Sequence, residues 1–234
     1  MGPSAGIILI FVAFIVVAGL LIYLAWQRAK KRREDFFRLS VRLGLKYSIT
    51  DPFDTPSLPF DLFGQGQRRT AENMLYGDVQ GMRVRLFDYT YVIQHHNSNG
   101  PDTTSTYRFS CALGELDAMC PHLSIDHESF LSRLASHVGI HDIEFESEEF
   151  NRAFKIGSED RRFAFAFIDA SMMTWLMDEG GVARYEVNGP LALCYVDQVG
   201  PAEYGNLLEV LRRFRAHMPT VVSSLFPRTR EAAT

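Results

Sequence analysis

The residues best suited to chemistry cluster at "CPHLSIDH", which places Cys120, His122, Asp126 and His127 within eight positions. A Cys-x-His-x4-His spacing offers one thiolate and two imidazoles, the ligand types that zinc prefers. A complete site would need a second cluster with ligand spacing, and the sequence has none. Cys120, His122 and His127 are therefore only weak metal candidates. His137 and His141 are four apart but separated by Gly139, so no HExxH pair on one helix face is formed.

A second set of polar residues lies in "ESEEFNRAFKI", where Glu146, Glu148 and Glu149 are followed by Glu159 and Asp160. Paired carboxylates do acid–base work when burial raises one pKa. These acids sit in a short polar turn flanked by Arg152, Lys155, Arg161 and Arg162. They read as caps and surface partners, with Ser147 or Glu146 starting a short helix. Nucleophile elbows and P-loops are absent. "FGQGQRR" offers Arg68 and Arg69 to an anion but lacks the P-loop lysine and hydroxyl. No catalytic residue and no cofactor is assigned.

The elements around these residues begin with residues 5–26, "AGIILIFVAFIVVAGLLIYLAW", which carry no charge. About 20 apolar residues cross a hydrocarbon core. The absence of Lys or Arg before the run, its length, and Tyr23 and Trp26 at its end favour an uncleaved anchor over a signal peptide. Arg28, Lys30, Lys31, Arg32 and Arg33 follow at once. By the positive-inside rule they place the N-terminus outside and the rest in the cytoplasm, and they are available to anionic lipid. Setting those five aside leaves 19 basic residues against 28 acidic ones. An acidic body argues against nucleic acid as a partner. Three cysteines, Cys111, Cys120 and Cys194, fit reduced cytosolic thiols.

Hydrophobic patterning gives an α+β class: one transmembrane helix, then a mainly antiparallel sheet covered by helices. The division expected is 1–27 anchor, 28–45 basic juxtamembrane segment and helix, 46–221 domain, 222–234 tail. Helix is expected to continue to Gly44, and an irregular stretch to run over 46–70 through Pro52, Pro56 and Pro59. Strands are expected over 73–79 and 82–93, a third in "STYRFSCAL", and further strands over 123–127, 143–146 and 154–158. Helices are expected over 128–138, after Asp160, over 171–178 and over 203–217. Asn188-Gly189 in "ARYEVNGPLALCYV" reads as the type I′ turn of a hairpin. Met172, Met173, Trp175, Leu176 and Met177 suit a core, or a sticky surface patch.

Taken in order, "LPFDLFGQGQRRTAENMLYGDVQGMRVRLFDYTY", the 139–177 segment and "YEVNGPLALCYV" resemble a bacterial family of membrane-anchored proteins known as a domain of unknown function. The most specific piece is E-S-x-x-F-N-x-x-F, from Glu146 to Phe154. That resemblance implies a non-enzymatic module with one or two N-terminal membrane helices, and this chain shows one. The reading that follows is a single-pass membrane protein acting as a protein-interaction or accessory module. Glu148, Glu149, Arg152 and Trp175 are a possible partner surface. The alternatives are a membrane-tethered hydrolase-like enzyme and an apolar-ligand binder.

Overall fold

The computed structural model describes residues 3–96, 100–127 and 141–228, with side chains for 11–96, 100–127 and 143–228. The helix expected over 128–138 lies outside the described residues. Helix α1 runs unbroken over Pro3–Leu43, about 60 Å at 1.5 Å per residue. Among the described side chains of its apolar first half, Phe11, Phe14, Leu21 and Ile22 are all exposed, clear of the domain. Among the described residues, one helix is thus long and apolar enough to cross a membrane.

The end of α1 belongs to the domain rather than to a separate juxtamembrane unit, contrary to the expected division at 45. Phe36, Leu39 and Leu45 are buried in the core. The helix stops at Gly44, whose φ of +68° permits the left-handed turn, and the Leu45 amide closes back on Ser40 O at 2.9 Å.

Strand β1 (Lys46–Thr50) follows within the stretch expected to be irregular. A 3-10 turn (Thr55–Ser57) and the short helix α2 (Asp61–Gly64) lead to β2 (Gln67–Val79) and β3 (Met82–His95). The β2–β3 turn is Gln80-Gly81, both at positive φ, the pair of left-handed residues a type I′ turn needs. β4 (Thr103–His127) merges the two strands expected at 105–113 and 123–127 into one of 25 residues. β5 is confined to His141–Asp142, so the strand expected over 143–146 does not form, although the Ile143 amide still bonds Ile156 O.

α3 (Glu148–Ala153), β6 (Phe154–Ser158), α4 (Arg161–Phe167) and α5 (Ala170–Asp178) come next. Ser147, Asp160 and Asp169 cap these helices through their side chains. β7 (Arg184–Asp197) is one continuous strand. The hairpin expected at Asn188-Gly189 is absent because β4 is long enough to pair with both halves of β7. Its register with β7 breaks on either side of Cys120, which lies opposite Gly189 at φ +56°. The glycine therefore absorbs an irregularity within the strand instead of reversing it. α6 (Tyr204–His217) and α7 (Thr220–Leu225) are the last described helices. The expected tail starts with this helix: Val222 is fully buried, and the Met119 amide bonds Phe226 O at 2.8 Å.

The antiparallel sheet has the order β1-β2-β3-β4-β6-β5, with β7 along the other edge of β4. Both faces are covered, as the side-chain alternation in β3 requires. Val84 and Leu86 face a large core with the end of α1 and helices α4 to α7. Phe87, Tyr89 and Tyr91 face a second core closed by Phe60, Leu62 and Phe63 of the α2 segment.

Candidate functional site

Asp88 lies on the Val84–Leu86 face of β3 and is almost wholly buried. A buried carboxylate must be paired, and the partner comes from helix α1. Arg32 donates Nε to Asp88 Oδ2 at 2.7 Å and Nη2 to Oδ1 at 2.6 Å, a bidentate pair. The same Nη2 reaches Val199 O at 2.9 Å, just before α6. The Tyr204 hydroxyl donates to Asp88 Oδ1 at 2.7 Å, and Asn73 Nδ2 donates to Oδ2 at 2.9 Å. Asn73 has a φ of +54° where the β2–β3 register slips, and Tyr47 holds its amide oxygen. Burial opposes the Arg32 charge, but the bonds to Asp88 and the charge of Asp88 outweigh it and raise the guanidinium pKa. Phe36, one turn further along, meets Tyr204 edge-on at 4.8 Å. Helix α1 is therefore fastened to three strands and to α6 within a turn or two of the apolar span.

Arg32 is consequently a structural residue rather than a lipid contact. Arg28, Lys30, Lys31 and Arg33 stay exposed. Trp175 is not a surface residue either: it is buried against Tyr185, Phe214 and His217. Met172 and Leu176 are buried too, so the five-residue stretch is mostly core. Glu148, Glu149 and Arg152 are exposed. Arg69 is drawn back to Phe63 O at 2.5 Å rather than presented to an anion.

The metal candidates separate. In β4 the alternation sends Leu123 and Ile125 into the helix-side core and His122 to the other face. Cys120 is buried in the helix-side core, and His127 packs at a tilt against Phe154. His122 instead meets two residues from elsewhere in the chain. Its Nε2 is 3.4 Å from Asp61 Oδ2, and Glu186 of β7 completes a group whose ligand atoms all lie within 4.8 Å of one another. Glu186 is buried and accepts the amides of Asp61 at 2.5 Å and Leu62 at 3.0 Å. Burial, then Asp61 and Asp126, push its pKa to about 8, against the pull of those two amides. The sequence held one clue, an acid between the apolar Tyr185 and Val187 of a strand.

Cys111, Cys120 and Cys194 are free, buried thiols, and burial raises the pKa of each. Such thiols are poor nucleophiles.

No protein-family model matches the chain, and no curated protein does. A solved structure is similar: the crystal structure of the mycobacterial trehalose monomycolate transport factor A, at a TM-score of 0.59 and 13% identity. The alignment covers 81% of this chain and 93% of that one. At that identity the likeness establishes the shared α+β fold.

Proposed function

We propose that the chain is a single-pass membrane protein whose domain, held on the cytoplasmic face, is a non-catalytic accessory module for a membrane complex. One observation carries this reading: the apolar helix passes without a break into the core and is clamped there through Arg32 and Asp88. A flexible tether would merely localise a domain, whereas a continuous helix fixes its height and orientation at the bilayer. That rigidity suits docking against a neighbouring membrane protein. The fold-level likeness to a protein named as a transport factor supports a transport complex as the kind of partner. The fingerprint resemblance points to a non-enzymatic role as well. The exposed Arg28, Lys30, Lys31 and Arg33 support the cytoplasmic orientation.

In-cell cross-linking followed by extraction in mild detergent tests the reading. A discrete membrane protein should co-purify with the intact chain. Recovery of the chain alone after cross-linking overturns the accessory role. A cysteine introduced near the C-terminus tests orientation, since the three native thiols are buried. It should resist a membrane-impermeant maleimide in intact cells and react after lysis. Labelling in intact cells reverses the topology.

A further inference from the structure

From the convergence of Asp61, His122 and Glu186 we infer a binding site for a first-row divalent metal ion, with Zn2+ as its natural probe. Three elements distant in sequence supply one ligand atom each: the first residue of α2, the second half of β4 and the start of β7. The Asp61 Oδ2 to His122 Nε2 separation is 3.4 Å. Two ligands about 2.1 Å from a tetrahedral ion stand roughly 3.4 Å apart, so that edge has the length a metal requires. Two carboxylates and one imidazole form a nitrogen–oxygen set suited to Zn2+, Mn2+ or Fe2+. The Cys120 sulfur belongs to the helix-side core and takes no part.

The scaffold around the three ligands is built. The Asp61 and Leu62 amides hold both Glu186 oxygens, leaving lone pairs for an ion, and Asn188 Nδ2 ties Pro59 O to β7 at 2.7 Å. These bonds fix the backbone of Asp61 against the strand that carries Glu186, which is how a supporting shell orients a ligand. The His122 Nε2 atom is buried and has no hydrogen-bond partner among the described residues. Burying the Glu186 and Asp61 carboxyls side by side disfavours negative charge on both, a cost that a bound dication would offset. The Asp61 side chain is 26% exposed and that of His122 14%, so the group lies close to the surface.

The test uses the tag-free full chain in detergent, stripped with a chelator and titrated with Zn2+ against a chromophoric competitor. One equivalent should bind, and D61N and H122Q should each weaken it about 100-fold. H127Q, outside the group, should bind as the wild type does. X-ray absorption at the zinc edge should show nitrogen and oxygen neighbours without sulfur. That readout stands on the wild-type protein even if a variant fails to fold. Absence of stoichiometric binding, wild-type affinity in D61N and H122Q, or sulfur in the first coordination sphere overturns the site.

Discussion

Asp88 and Glu186 are two acids buried in one sheet, and the protein treats them in opposite ways. Asp88 is met by Arg32 in a bidentate pair, with Asn73 and Tyr204 completing its bonds. Glu186 is met by two backbone amides and sits near Asp61 and Asp126. The first arrangement is a lock, because its cation comes from the membrane helix. The second places like charges together, an arrangement that raises a carboxyl pKa or recruits a cation. Buried charge fastens the anchor in one place and prepares a ligand set in the other.

Breaking the lock should have the largest effect. Asp88→Ala leaves the Arg32 guanidinium, the Asn73 amide and the Tyr204 hydroxyl without their shared acceptor. Removing one partner of a buried pair costs about 3–5 kcal/mol. Chemical denaturation of the full chain in detergent should show a corresponding fall in midpoint at unchanged slope. A loss below about 1 kcal/mol would mean that the helix is merely resting on the domain.

The second carboxylate sharpens the contrast through pH. The folded-state pKa of Glu186, about 8, lies above its ordinary value of 4.5. The native state therefore binds a proton that the unfolded chain has released, and native stability falls as pH rises. Chelator-treated protein should lose stability between about pH 4.5 and 8, by several kcal/mol at most. Glu186→Gln should flatten that slope, and so should Zn2+ on the wild type, by supplying the missing positive charge. A slope unchanged in Glu186→Gln would show that another group drives it.

Most of the fold was legible because it rests on local chemistry. Ser147, Asp160, Gly44 and the 3.6-residue spacing of Leu207, Leu208, Leu211 and Phe214 each act within a turn of themselves. The misreading at Asn188-Gly189 has a non-local cause: a turn-forming dipeptide extends when a long partner strand is paired with both of its flanks. Trp175 was ambiguous because helical spacing defines a face without saying what covers it, and here Tyr185 and Phe214 do. The Asp61–His122–Glu186 group escaped sequence reading for a related reason. Its members are 61 and 64 positions apart, and sheet register alone brings them together. The Arg32–Asp88 pair was equally hidden, since a charge following a membrane span reads as a topology signal.

A third group of acids, those of the E-S-x-x-F-N-x-x-F run, never leaves water and provides the smallest effects. Glu148 and Glu149 are exposed in the first turn of α3, where a negative charge gains a few tenths of a kcal/mol from the helix dipole. The fingerprint owes its form to its other members. Phe150 and Phe154 are core residues. Ser147 Oγ accepts the Phe150 amide at 3.2 Å, and Asn151 clasps Phe145 by accepting its amide at 2.9 Å and donating to its carbonyl at 2.7 Å. Asn151→Ala should therefore cost about 2 kcal/mol for two lost bonds, and Ser147→Ala about 1 kcal/mol for a lost cap. Glu148→Gln with Glu149→Gln should stay within about 0.5 kcal/mol in the same denaturation experiment. If the double Gln variant keeps its stability but loses the cross-linked partner, those two acids are a docking contact. If it keeps both, the acids serve only the turn, and the partner surface must be sought elsewhere on the domain.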